Sequence, residues 1–404
     1  SGARELADRL GLDPRAVHVS REGQAEYGFD HHPVRDGDAF EFGSVLLTAR
    51  YTPGHTPEHL SYLIAEKERP QAPWGIFTGD SLFAGSAGRP DLLGGRQTDE
   101  LARRLFYTLR DFYLRQDDGL MVFPCHGAGS ACGADIGDRP MSTIGFERRF
   151  NPFLQYDDLD EFTDFVRQSA PPEPAYYQRL KKENANGPEI LGGLPPAPGL
   201  PPHRFQAEIK RDAAVLVDTR EMLAFGGGHI AGAVNIGARE ELASWAGQML
   251  DHDRPILLVL ERETMLPWVL RQLLRVGFRR YAGYLAGGMK AWENAGLPLK
   301  KATQMTVHEL KERPPEMQVL DVRSPSEFAS GRIPGARHFY VADMRDAHDG
   351  IDGLDKHRPV AAYCGSGYRA SIAASLLQRL GFEDVRNVPG SWQAWTNSKY
   401  PVEK

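Results

Sequence analysis

Arg358-Pro359-Val360-Ala361-Ala362-Tyr363-Cys364-Gly365-Ser366-Gly367-Tyr368-Arg369 is the stretch against which the rest of the chain is read. Arg254-Pro255-Ile256-Leu257-Leu258-Val259-Leu260, 104 residues earlier, has the same frame, and the two copies run on to Gly381-Phe382 and Gly277-Phe278. The chain therefore holds an internal repeat in which one copy has a thiol and the other has Leu260 in its place. Pro359–Tyr363 reads as a buried strand, and Ile372, Ala373, Leu376, Leu377 and Leu380 form one helical stripe, so Cys364 falls at a strand-to-helix turn. Backbone N–H groups at such a turn favour an anion, and Arg369 adds a positive charge, a setting that lowers a thiol pKa and holds a persulfide or oxyanion. A merely structural cysteine has no need of Gly-Ser-Gly and arginine around it. The first copy offers Glu261-Arg262-Glu263-Thr264-Met265 instead, negative charge where an anionic sulfur donor needs the opposite.

Cys-x-x-Gly-x-Arg, preceded by Leu320-Asp321-Val322-Arg323 and Gly331-Arg332-Ile333-Pro334-Gly335-Ala336, resembles a rhodanese (sulfurtransferase) domain. The earlier copy matches it with Val217-Asp218-Thr219-Arg220, Gly228-His229-Ile230-Ala231-Gly232-Ala233, Gly287-Gly288 and Ala291-Trp292, without the nucleophile. The resemblance implies that Cys364 and Arg369 are catalytic and that Gly365, Ser366, Gly367 and Tyr368 surround the bound sulfur. A Cys-based phosphatase has a similar loop, one residue longer; six residues from Cys364 to Arg369 favour sulfur over the larger phosphate.

A chain of 404 residues is long enough for two to four domains. The net charge of −6 carries no basic stripe, which argues against nucleic acid. No apolar run long enough for a membrane span occurs. Three cysteines, Cys125, Cys132 and Cys364, make no paired framework and point to a reducing, cytoplasmic compartment. Residues 186–203, rich in Pro and Gly, read as a semi-extended linker. They separate residues 1–185 from two α/β repeats with parallel sheets, 204–300 and 301–404.

Residues 1–185 contain three apolar stretches that each end in a metal-capable side chain. Leu46–Tyr51 leads to Pro53-Gly54-His55-Thr56, Gly75–Thr78 to Gly79-Asp80, and Met121–Pro124 to Cys125-His126-Gly127. Imidazole and carboxylate at strand tips are the materials of a first-row metal site, and glycines beside them let a substrate approach the backbone. Cys125, flanked by Phe123-Pro124, reads as core, and Cys132 either as a sulfur relay near the metal or as small filler in a Gly-rich loop. His31 and His32 are adjacent, point to opposite faces of an extended segment and make no joint site.

The order Pro-Gly-His-Thr, Thr-Gly-Asp, Pro-x-His-Gly resembles the metallo-β-lactamase superfamily, an αββα sandwich. Within it, Gly88-Arg89-Pro90-Asp91-Leu92 and Ser142–Pro152 are similar to persulfide dioxygenases and to bacterial fusions of that enzyme with rhodanese domains. The resemblance implies a mononuclear Fe(II) held by His55 and Asp80, with His126 beside it and Arg89 as substrate contact or brace. The superfamily's His-x-His-x-Asp-His motif is not in these residues; the resemblance places it just before a helix like Ser1–Ala7, so the sandwich is expected to lack its N-terminal part here. The implied function is oxidation of a low-molecular-weight thiol persulfide by O2 to sulfite, with thiosulfate formed at Cys364; self-association is left open. A zinc thioester hydrolase of the glyoxalase II type and a sulfur carrier active only at Cys364 are the alternatives.

Overall fold

The computed structural model describes residues 2–127, 130, 132–133, 136–169, 172–347 and 350–404. Ala128, Gly129 and Ala131 of the loop after His126 lie outside the described residues, as does Ser1. The chain divides into two compact units, Ser1–Gly192 and Gly193–Lys404. No helix among the described residues is long and apolar enough to cross a membrane.

The first unit is built on a six-stranded sheet in the order Ser142–Thr143, Met121–Pro124, Gly75–Gly79, Leu60–Glu66, Val45–Tyr51, Ala39–Phe42. Val45–Tyr51 and Gly75–Gly79 both run antiparallel to Leu60–Glu66, and Gly75–Gly79 runs parallel to Met121–Pro124. All three strands therefore point the same way, and the residues after their last positions meet at one rim of the sheet. Alternation puts Ile76 and Val122 on one face. There they meet Leu105 and Phe106 of the Gly95–Tyr107 helix and Phe162 and Val166 of the Leu159–Ser169 helix. Phe162 is fully buried, and truncating such a residue to alanine costs about 3–5 kcal/mol.

The second unit contains two five-stranded, all-parallel sheets with the same strand order. The first runs Gly199–Leu200, Tyr281–Leu285, Ile256–Val259, Val215–Asp218, Val234–Asn235. The second runs Thr303–Gln304, Val385–Asn387, Val360–Tyr363, Gln318–Asp321, Arg337–His338. Helices cover both faces, so Ile256–Val259 and Val360–Tyr363 are buried at every position, and the sequence shows them as unbroken apolar runs. Each repeat has its own core, around Trp292 in one and Trp395 in the other. The duplication extends to detail: each indole N–H donates to a proline carbonyl, Pro298 or Pro401. Arg220 and Arg323 each fork onto the aspartate two residues back, Asp218 and Asp321.

One stretch read as linker is part of the sheet. Gly199–Leu200 pairs in parallel with Tyr284 and Leu285, and the following helix starts at Pro202. A prolyl-glycine run has no period to announce a strand; at Gly199 a Cβ would sit 3.0 Å from the Tyr284 hydroxyl, so the glycine lets that side chain lie close.

Candidate functional site

The Cys364 turn is shaped by its carbonyls. Those of Cys364, Gly365 and Ser366 accept hydrogen bonds from the N–H groups of Trp392, Gln393 and Gly390, and the Cys364 N–H donates to Ser391 Oγ. With the oxygens drawn outward, the Gly367 N–H turns onto the sulfur, 3.1 Å from Sγ, at the start of the Tyr368–Arg379 helix. Gly367 has φ +112, a left-handed conformation that costs glycine little. Cys364 is only 1% exposed.

Arg369 is close to this turn, since a Cβ on Gly365 would be 3.2 Å from its Nη2. Its guanidinium forks onto Glu327 at 2.6 and 2.8 Å, a partner that sequence reasoning missed. Glu327 also caps the Pro325–Ser330 helix from its third position, accepting from the Ser324 N–H and hydroxyl. Burial would raise the Glu327 carboxyl, but the Arg369 bonds outweigh it and hold the group near pH 2, against an ordinary 4.5. A depressed carboxyl pKa contributes stability that is fully present above pH 4.5 and lost as pH falls through about 2. The melting temperature of Glu327→Gln is therefore expected to lie below the parent's by a constant gap from pH 7 to about 5, narrowing toward pH 2. A gap unchanged at pH 2 contradicts the ion pair. The signal for Glu327 in the sequence was the capping box itself, Ser324-Pro325-Ser326-Glu327.

In the first repeat every chemical position of this turn is replaced. Leu260 stands for Cys364, Met265 for Arg369 and Ala224 for Glu327, counting from the paired strands and from Arg220 against Arg323. The vacated backbone donor is taken internally: Glu263 Oε1 accepts the Gly287 N–H at 2.7 Å, where the second repeat has Gly390 N–H on the Ser366 carbonyl. Restoring the thiol alone is consequently expected to give nothing. Leu260→Cys in a Cys364→Ser background should show no thiocyanate formation above that background, and a measurable gain would refute the account.

The rim of the first unit gathers the other predicted residues. His55 is buried, and its Nδ1–H donates to the Arg89 carbonyl at 3.0 Å, which leaves the Nε2 lone pair free to bind a cation. Burial lowers its pKa, with Asp80 opposing, so the imidazole is neutral. Asp80 Oδ1 is buried, and its near neighbour is His126 Nε2, 3.2 Å away as an ion-pair partner. The Asp80 carboxylate, then the Cys125 and Cys132 thiols, raise His126 above the ordinary imidazole range. Two donor sets share Asp80: His55, Asp80 and Cys132, and Asp80, Cys125 and His126, each with ligand atoms within 4.8 Å of one another.

Cys125, read from the sequence as core, is exposed. The strand ends at Pro124; the Cys125 N–H still donates to the Gly79 carbonyl, while its side chain lies at the rim. Cys132 lies against the Tyr177 hydroxyl, 2.9 Å from Sγ. Arg89 is 3% exposed and forks onto Asp91, so its side chain braces the loop whose carbonyl orients His55.

His59 was not singled out in the sequence. Its Nε2 accepts the Asp80 backbone N–H at 3.0 Å, so Nδ1 carries the proton and donates to Thr52 Oγ1; the chain continues through Ser61 Oγ to the buried Tyr113 hydroxyl. Burial pushes its pKa down to about 4, which keeps that acceptor available. Gly79 is needed here, because a Cβ would sit 2.6 Å from His59 Nε2. A Cβ on Gly88 would sit 1.8 Å from the Asp80 carbonyl oxygen and 2.8 Å from the His55 Cβ, so only glycine lets these loops close. The available signal was a second histidine four residues after His55, just before the Leu60–Glu66 strand.

A buried carboxylate oxygen, a neutral and oriented imidazole and a thiol with ligand atoms within 4.8 Å of one another form a donor set that fits a divalent cation. The family model described as "Rhodanese-like domain" matches residues 201–295 and 306–398. Thiosulfate sulfurtransferase GlpE of Pseudomonas putida is 38% identical over 85 residues, 21% of this chain and 74% of that protein. An uncharacterized protein of Mycobacterium leprae is 36% identical over 156 residues, 37% of this chain; the chain spans 60% of that relative's length. A metallo-beta-lactamase from Staphylococcus aureus has TM-score 0.61 and 27% identity, covering 70% of this chain and 80% of that one. The first unit is under half of the chain, so the likeness extends into the second. The metallo-β-lactamase fold of the first unit implies a metal ion.

Proposed function

Since the chain belongs to the rhodanese-like family, we propose that it is a sulfur-oxidising enzyme, with Cys364 as a sulfur-transfer nucleophile and His55 and Asp80 as ligands of a mononuclear Fe(II). The observation that carries the first half is the Gly367 N–H on Cys364 Sγ beside a fixed guanidinium. The thiolate attacks the outer sulfur of a donor such as thiosulfate, the donor S–S bond breaks, and its electron pair leaves on sulfite. The persulfide on Cys364 then passes its outer sulfur to a nucleophile, and the thiolate returns. Read backwards, sulfite takes sulfur from the Cys364 persulfide and leaves as thiosulfate. The loop N–H groups and Arg369 balance the negative charge that stays on sulfur throughout.

Asp80 Oδ1 and His55 Nε2 support the second half. Iron held by these residues would supply a one-electron redox centre for the reaction of O2 with a persulfide sulfur. Overall, a thiol persulfide, O2 and water give thiol and sulfite: the outer sulfur loses four electrons to one O2, and water supplies the third oxygen. Arg89 and His59 hold the two ligand loops, and Cys132, against the Tyr177 hydroxyl, lies within 4.8 Å of the His55 and Asp80 ligand atoms. Oxygen uptake by the iron-loaded full-length protein, started with a thiol persulfide and yielding one sulfite per O2, tests the reading. Thioester hydrolysis by a zinc-loaded sample without oxygen uptake would replace it.

A further inference from the structure

The helix that follows the Cys364 loop is more deeply buried than one amphipathic stripe requires. Every residue from Ala370 to Leu377 is buried, because the thiol-less repeat covers the face that the apolar stripe leaves. The cover is polar and specific. The Tyr368 hydroxyl donates to the Gly237 carbonyl at 2.9 Å, Ser371 Oγ donates to Asn235 Oδ1, and the Asn235 N–H donates to Ser375 Oγ at 3.0 Å. Met222 of the same repeat approaches the loop itself: a Cβ on Gly367 would be 2.9 Å from its sulfur. Tyr368 lies between Gly367, whose N–H is on the sulfur, and Arg369, whose guanidinium flanks the turn. Tyr368 therefore tethers from the other repeat a turn whose remaining anchors are the Gly390–Gln393 segment and Glu327.

We propose that the thiol-less repeat is a working part of the Cys364 site: its Gly237 carbonyl, by taking the Tyr368 hydroxyl, holds the loop in its closed cradle, and Tyr368 is a positioning residue. The repeat has Leu260, Met265 and Ala224 where the other has Cys364, Arg369 and Glu327, and it presents this carbonyl and Met222 to the loop. The inference rests on the reading of Cys364 as nucleophile only where activity is measured. The state of the loop is read separately, from the reactivity of a thiol that is 1% exposed.

The test uses the full chain and three variants. Tyr368→Phe keeps the ring and removes the hydroxyl. Met222→Ala removes the second loop contact. Ser375→Ala removes an inter-repeat hydrogen bond on the same helix about 10 Å further along. Alkylation of Cys364 by iodoacetamide is followed by mass spectrometry with Cys125 as internal reference, beside kcat and KM for thiosulfate:cyanide transfer. Tyr368→Phe should alkylate about tenfold faster, the factor one buried hydrogen bond commands, and lose about tenfold in kcat with little change in KM. Met222→Ala should move the same way by less, and Ser375→Ala should match the parent in both readouts. Parental alkylation in Tyr368→Phe overturns the proposal, and so does an equal change in Ser375→Ala, which would mean general loosening of the helix. If Tyr368→Phe does not fold, Met222→Ala against Ser375→Ala decides by the same rule. Persistent transfer in Cys364→Ser would remove the nucleophile reading alone, while the alkylation comparison would still decide the role of the loop.

Discussion

Cys364→Ser in the full-length protein is expected to lower thiosulfate:cyanide sulfur transfer by at least about 10³-fold, the scale of loss when a nucleophile is removed from a preorganised site. The serine Oγ occupies the same cradle and accepts the same Gly367 N–H, so the fold and melting temperature should be retained. What is lost is the chemistry, because a hydroxyl is not ionised at neutral pH and forms no persulfide. Steady-state thiocyanate formation checks it, together with mass spectrometry for the 32 Da increment of a sulfur adduct on the parent protein (about one sulfur atom, the group transferred to the thiolate). Transfer at the parental rate would place the nucleophile elsewhere.

Asp80→Ala should release the metal from the first unit, with affinity lowered by more than about 100-fold, since losing even a partner of a ligand costs about 10–100-fold. Asp80 is the residue common to both donor sets at the rim, so its removal leaves neither His55 with Cys132 nor His126 with Cys125 a carboxylate to share. Metal per chain after dialysis, measured by elemental analysis, should fall to background, and persulfide-dependent oxygen uptake with it. Sulfur transfer at Cys364 should be unchanged, because the second unit has its own cores and its own site. Full metal retention in Asp80→Ala would remove Asp80 from the ligand set and leave the rim without its central group.

Much of this was legible in one dimension. Apolar runs such as Ile256–Val259 and Val360–Tyr363 report strands buried on both faces, and a fixed offset between two such runs reports a duplicated fold. The thiol in one copy and Leu260 in the other could be read directly. So could three strand tips ending in His55, Asp80 and His126. The elements are legible because side-chain period and turn chemistry are local properties of the chain.

Contacts between distant positions were set by topology. Glu327 is 42 residues from Arg369, Ser61 is 52 from Tyr113, and Gly237 is 131 from Tyr368. No periodicity encodes such a pair. It arises when a parallel sheet order brings one loop beneath another, or when two repeats bury a helix between them. Cys125 shows the same limit from the other side: its apolar neighbours promise burial, yet it is the first residue after the strand and lies exposed at the rim. The sequence by itself determined which elements form and which side chains stand at their ends, because backbone preference and hydrophobic period act between near neighbours. Only the tertiary structure decided which groups orient those side chains, because a hydrogen bond about 3 Å long depends on where the sheet order and the packing of the repeats bring two segments together.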